Sequence, residues 1–286
     1  MSEQQYEERT PRLQKPAHSH RRAFDIGSVL SRSFSIWGRN LVPFVVLTVL
    51  LQLPLYAWNF FVTGSVLGTL DFPEDPTQPP PASLYGWALA GWLVTLLCTQ
   101  LVTATLVYAV FKELRKQKAT IGECLSQGLA RLFPVIGVAL VATLLPTLSM
   151  MPIIALGVFA PMLLLLLVIP AGILFMFIYC GLWVAIPAAV VERPGVFGAL
   201  SRSWELTRNN RLAIFGLMVI IMIFAALLAG LLVMVTNALG QALAWVGLFA
   251  NIPGISLMAV LTAVTYHDLR VSKEGIGSEE LASIFD

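Results

Sequence analysis

Residues Leu132 to Val191 run without a single Asp, Glu, Lys or Arg, and so do Asn40 to Leu70, Pro76 to Phe111 and Leu212 to His267. About 20 apolar residues in a helix cross a hydrocarbon core of about 30 Å. Asn40 to Leu70 and Pro76 to Phe111 hold one crossing each. Leu132 to Val191 and Leu212 to His267 are long enough for two each. Turn chemistry divides both: Pro146, Pro152, Gly157 and Pro161 in one, Asn237, Gly240 and Gln241 in the other. Six spans are therefore expected near 41–64, 84–111, 132–156, 161–190, 212–235 and 245–267. Composition points the same way. Only 12% of the residues are charged, against about 25% in an ordinary soluble domain, which leaves too little polar surface for a water-exposed globule. The expected fold class is all-α, a polytopic membrane protein with six transmembrane helices. Its membrane domain covers 21–270. A disordered cytoplasmic tail precedes it over 1–20 and a cytoplasmic C-terminal tail follows over 271–286.

The charges that remain are sorted. All 18 Lys and Arg fall before the first span, between residues 112 and 131, between 192 and 211, or after the last span. The connection 71–83, DFPEDPTQPPPAS, carries Asp71, Glu74 and Asp75 and no cation. Cationic loops stay on the cytoplasmic side, so both termini are expected there and the proline-rich connection outside, extended and polyproline-like. Residues 1–40 hold no apolar core for a cleavable signal, and Leu41 onward serves as an uncleaved anchor. Cys98, Cys124 and Cys180 are too few and too scattered for a disulfide framework.

A short basic phrase precedes each odd-numbered span. It reads LSRSF at Leu30–Phe34, LSQGL at Leu125–Leu129 and LSRSW at Leu200–Trp204. Around the first copy, Ile26, Val29, Leu30, Phe34 and Trp37 recur at helical spacing. Asp25, Ser28, Arg32 and Arg39 oppose them. Ile121, Cys124, Leu125, Leu129 and Leu132 do the same around the second copy, and Phe197, Leu200 and Trp204 around the third. An apolar face with an aromatic, opposed by arginine, suits the bilayer interface. Three amphipathic helices are expected near 22–38, 119–131 and 194–208. Each heads a transmembrane hairpin, so the chain reads as three repeats of one unit. The candidate lipid-headgroup contacts are Arg32, Trp37, Arg39, Arg131, Arg202, Trp204, Arg208 and Arg211. Arg32 and Arg202 are expected to meet either headgroups or acidic residues of the bundle. Asn40 and the Asn209-Asn210 pair are expected to cap the spans that follow them.

Ionisable residues at membrane depth are the usual pointer to transport or catalysis, and no Asp, Glu, Lys or Arg falls inside the six expected spans. Gln52, Asn59, Gln100, Thr103, Thr105, Tyr179, Asn237, Gln241 and Asn251 are the neutral polar residues there. They read as helix-packing groups, or as the lining of a neutral cavity opened by proline bends. His18 and His20 form a lone His-x-His, too few ligands for a metal site. No motif for a nucleophile, a phosphate loop or a metal centre occurs. The chain is expected not to be an enzyme, to need no cofactor and to bind no nucleic acid. Membrane lipids, anionic phospholipid among them, are its expected partners, with a membrane protein or a second copy as a further candidate.

The segment Val191 to Ile220, VERPGVFGALSRSWELTRNNRLAIFGLMVI, resembles the YciC-like inner-membrane proteins of bacteria, which are similar to the membrane domain associated with glycerophosphoryl diester phosphodiesterases. FDIGSVLSRSFSIWGRNLVPF near the start and YHDLRVSKEG after the last span fit the same resemblance. It implies a six-span module in a bacterial inner membrane. The soluble barrel of the fused enzymes, and its metal-binding His, Glu and Asp, has no counterpart in this chain, so the resemblance implies no hydrolysis. The expected role is a non-catalytic module that binds or organises lipid or scaffolds partners. The alternative is a transporter or exporter of an apolar or amphiphilic solute.

Overall fold

The computed structural model describes residues 24–66, 81–117, 120–159, 161–239 and 244–274, and among them every regular element is helical. The elements are α1 (Ile26–Arg39), α2 (Leu41–Phe61, followed by a π-helical turn Val62–Val66), α3 (Ala82–Leu114), α4 (Ile121–Ala130), α5 (Leu132–Phe159), α6 (Pro161–Leu182), α7 (Ala185–Glu192), α8 (Gly195–Thr207), α9 (Arg211–Leu239) and α10 (Ala244–Glu274). The tail expected over 1–20, most of the connection 71–83 and the chain beyond Glu274 lie outside the described residues.

Six stretches are long and apolar enough to cross a membrane: Leu41–Phe61, Ala82–Leu114, Leu132–Ile153, Leu167–Glu192, Arg211–Val235 and Asn251–Glu274. The protein is an integral membrane protein with the six expected spans. Three boundaries differ from the expected ones. Pro146 and Pro152 lie inside α5 and do not end it. Around them Thr143 donates to Ala139 O (2.8 Å), Thr147 to Thr143 O (2.7 Å) and Ser149 to Pro146 O (2.6 Å). α5 ends at Phe159, and Pro161 opens α6, the position where a missing N–H costs nothing. The fourth span is split at Trp183–Val184, four residues before Pro187, whose ring excludes the carbonyl at that distance. The last span runs on to Glu274, past the expected end at 267.

The three amphipathic helices are present as α1, α4 and α8, within a few residues of their expected bounds. Asp25 caps α1, accepting from Ser28 N at 2.8 Å. Thr120 and Glu123 close a reciprocal capping box on α4, each side chain accepting from the other residue's N–H at 3.3 Å. Asn40 does not cap α2. Its Nδ2 turns back and donates to Ile36 O at 3.0 Å, closing the end of α1 instead.

Each amphipathic helix seats on the closing span of the preceding hairpin. α4 lies on α3, α8 lies on α6 and α7, and α1 lies on α10, so the first seat is filled from the end of the chain. α3 and α10 stand at the centre, and their buried residues concentrate toward the end that carries the charged helices. Val102, Leu106 and Val110 of α3 and Val260, Val264 and Leu269 of α10 are fully buried. Ala104, Ala109, Ala185, Ala188, Ala189, Ala259 and Ala263 are buried among them. Lipid supplies no hydrophobic drive for helix to meet helix, so small residues that admit close approach carry the packing. The outside is a belt of exposed large apolar side chains, including Val42, Leu53, Phe60, Ile169, Ile173, Met222 and Leu227. Water does not tolerate a contiguous apolar surface on this scale, whereas acyl chains cover it.

Candidate functional site

The repeated phrase sets the geometry of the charged end. Its first four residues and the one before it show the same burial in all three copies. Val29, Cys124 and Ala199 are buried, and so are Ser33, Gly128 and Ser203 four residues on. Ile36, Arg131 and Leu206 complete the inward stripe one turn later. The small fourth residue is the point of closest approach. Ser203 Oγ donates to Gly181 O at 2.8 Å, and Thr207 Oγ1 to the same carbonyl at 3.2 Å. A Cβ built on Gly128 would stand 2.1 Å from Thr105 Oγ1 and 3.3 Å from Thr105 Cα. The fifth residue keeps part of its surface open: Phe34 is 42%, Leu129 50% and Trp204 37% exposed, the Trp204 ring packing beside Gly181 and Phe177. The single apolar face expected from periodicity is thus divided: one stripe, with Val29, Ile36 and Leu206 on it, is buried, and Phe34, Leu129 and Trp204 stay exposed.

This rotation decides what the arginines meet. Arg32 is ion-paired and hydrogen-bonded to Asp268 of α10. Arg202 engages three carboxylates. Its Nε donates to both oxygens of Glu192 (3.0 and 2.9 Å), its Nη2 is hydrogen-bonded to Glu274, and Glu205 stands 3.7 Å away. Arg270 joins the same group, 2.9 Å from Glu274 Oε2 and 3.7 Å from Glu192 Oε1. Tyr266, fully buried, donates its hydroxyl to Glu192 at 2.5 Å and sets its ring edge-on against Phe111. The result ties α7, α8 and α10 together. Burial opposes the Arg202 charge, but the hydrogen bonds to Glu274 and Glu192 outweigh it and hold the guanidinium pKa above its usual value. Of the two fates expected for Arg32 and Arg202, the structure shows the acidic residues of the bundle.

The remaining candidates divide. Trp37 Nε1 donates to Ser256 Oγ at 2.9 Å, which fastens α1 to α10. Arg211 lies between two rings, its Cζ 4.0 Å from the centroids of both Phe177 and Trp204. Each such cation–π contact contributes about 0.5–2 kcal/mol, more where water is excluded. Arg39 is mostly exposed and reaches Glu113 at 3.5 Å, and Arg208 is exposed. Arg131 closes α4 with only 8% of its surface exposed. Its Nη2 meets Gln127 Oε1 at 3.3 Å, while Nη1 is buried without a hydrogen-bond partner.

Periodicity on α1, α4 and α8 gave no reason to single out Glu192, Asp268 and Glu274. The signal was nevertheless present: each carboxylate sits just beyond the last apolar turn of an even-numbered span. Gln52, at 1% exposure, and Gln100 each bury an amide oxygen that lacks a protein partner. Among the described residues, no three His, Cys, Asp or Glu side chains converge on a metal-sized point. His18 and His20 lie outside the described residues. No protein-family model, curated protein or solved structure matches the chain.

Proposed function

We propose that this membrane protein is a non-catalytic module of a bacterial inner membrane, with both termini cytoplasmic, that binds or organises lipid or scaffolds partners in the bilayer. One observation carries the reading: the fifth residue of the repeated phrase, Phe34, Leu129 or Trp204, stays exposed at the charged end in all three copies. Bulky residues at that depth enter the interface, and nearby cations favour anionic lipid by about 1 kcal/mol each. The same reading takes the three helix-plus-hairpin stretches as copies of one unit, supported by their shared burial register.

The cations best placed to meet headgroups are Arg39 and Arg208, both exposed. The Arg39→Gln/Arg208→Gln double variant, purified beside the wild type, is expected to carry less copurified anionic phospholipid by mass spectrometry, with stability unchanged within about 0.5 kcal/mol, as for ordinary surface substitutions. Equal anionic lipid in both preparations defeats the lipid reading. Orientation has its own test. A cysteine at Ser83 is expected to react with an impermeant thiol reagent from outside the cell and one at Ser278 is not. The natural thiols add little background, because Cys98, Cys124 and Cys180 are all buried.

The rival, a carrier for an apolar or amphiphilic solute, draws on the unpartnered amide oxygens of Gln52 and Gln100. It needs a cavity at mid-span. Two cavities lie at the charged end, one lined by residues between Tyr108 and Arg193 and the other by residues between Arg202 and Glu274. Solute flux in proteoliposomes from the double variant, with unchanged lipid content, is the outcome that favours the rival.

A further inference from the structure

A cavity of about 320 Å³ opens at the charged end where the last turn of α3, the end of α4 and the α7–α8 junction meet. That is the lower end of the volumes that hold small ligands, roughly 300 Å³ and up. Lys112, Arg115, Arg131 and Arg193 line it, with Gln127 and Tyr108, and among the described residues no carboxylate does. We propose that this cavity is a binding site for a phosphate-bearing anion, of the phosphomonoester class. The proposal rests on the lipid reading above only for the source of the phosphate, either an anionic lipid headgroup or a soluble phosphate.

The charge balance favours a dianion. Glu123 stands 3.4 Å from Lys112 and offsets it. Arg131 and Arg193 bring two further positive charges to the cavity, which matches a phosphomonoester at neutral pH, about −1.5 to −2. Among the described residues no carboxylate pairs with Arg131 or Arg193. Arg131 is the costly member, because a buried guanidinium needs a counter-charge. Burial, with Arg193 adding repulsion, pulls its pKa below the usual guanidinium value, the direction expected of a cation that lacks an anion.

The backbone adds an independent observation. Arg193 closes α7 in the left-handed conformation, with φ 56° and ψ 36°. Glycine takes this position at no steric cost and is the usual residue there. An arginine held in it is a strained placement that persists where the side chain has work to do. Positively charged residues at membrane surfaces are ordinary, but four around one concavity, one of them buried and one strained, are not accounted for by topology alone.

Arg193→Gly separates binding from folding, since it removes a cation while relieving the backbone. The full-length protein in detergent is titrated with inorganic phosphate by calorimetry at constant ionic strength. The same proteins are then placed in phosphatidylcholine nanodiscs with and without phosphatidic acid, and bound lipid is counted by native mass spectrometry. Wild type is expected to bind one equivalent of one probe. Arg193→Gly is expected to weaken that binding by about tenfold or more, the loss of a charge-assisted hydrogen bond, with a melting temperature no lower than wild type. Lys273→Gln, outside this cavity, leaves it unchanged. Saturable phosphate binding assigns a soluble ligand, and phosphatidic acid binding alone assigns a headgroup. No saturable binding of either probe, or equal loss in Arg193→Gly and Lys273→Gln, overturns the proposal. That failure is distinct from failure of the lipid reading, which turns on Arg39 and Arg208.

Discussion

Replacing Arg202 by alanine is expected to destabilise the protein by about 2–4 kcal/mol, measured as the shift in unfolding free energy on titrating the detergent-solubilised protein with SDS. Removing one member of a buried ion pair costs about 3–5 kcal/mol because the other is left uncompensated. The side chains here keep about a fifth of their surface exposed, so the expected loss is set about 1 kcal/mol below that range. Without Arg202, Glu192 and Glu274 share only Arg270, and the Tyr266 hydroxyl donates to a carboxylate that has lost its nearest cation. Arg202→Lys is expected to recover only part of the loss. An ammonium is a point charge and does not reproduce the fork that serves Glu192 through Nε and Glu274 through Nη2. Adding Glu274→Gln to Arg202→Ala is expected to return about 1 kcal/mol or more, since groups in one network are not additive. An Arg202→Ala protein within about 0.5 kcal/mol of wild type, the range of an inert surface change, would show that the network holds nothing together.

Gly128→Leu is expected to cost about 3 kcal/mol, the upper part of the usual range for overpacking. The neighbour its Cβ would meet is no flexible tip. Thr105 Cβ at 3.2 Å and Cα at 3.3 Å belong to the wall of α3, and a β-branched residue in a helix has little rotamer freedom to retreat. α4 must lift from α3, and Cys124 and Arg131, buried on the same stripe, lift with it. Gly122, earlier on the same helix, has nothing within 4 Å of the position a methyl would take. Gly122→Ala is therefore expected to stabilise by up to about 1 kcal/mol, the difference in helix propensity. Opposite signs at two glycines of one short helix would be hard to obtain unless α4 sits on α3 as described. Equal effects would remove that seat.

The spans were legible because lipid imposes a length and forbids charge, and both rules act on composition alone. The amphipathic helices were legible because their period survives at any depth. Which stripe of those helices faces protein was not. A hydrophobic period ranks Phe34 and Trp204 above Ser33 and Ser203, as water would. Here Ser33 and Ser203 are buried while Phe34 and Trp204 stay exposed, so the ranking inverts at these neighbouring positions. That inversion also turned Arg32 and Arg202 onto carboxylates. The cavity around Arg131 and Arg193 could not be read from the chain, because its walls come from three separate connections.

The seat of α1 on α10 sets an order of events during synthesis. Arg32 leaves the ribosome 236 residues before Asp268, so the first amphipathic helix is made long before its seat exists. Until then Val29 and Ile36, both buried in the finished protein, have only the membrane surface to cover them. α4 and α8 follow directly after the spans they rest on and wait for nothing. The bundle is thus locked by its last span, and a chain released before α10 is complete carries an unseated first helix and an unpaired Arg32. Surveillance proteases that recognise unpacked membrane segments would meet that helix on every prematurely ended chain, and on no completed one.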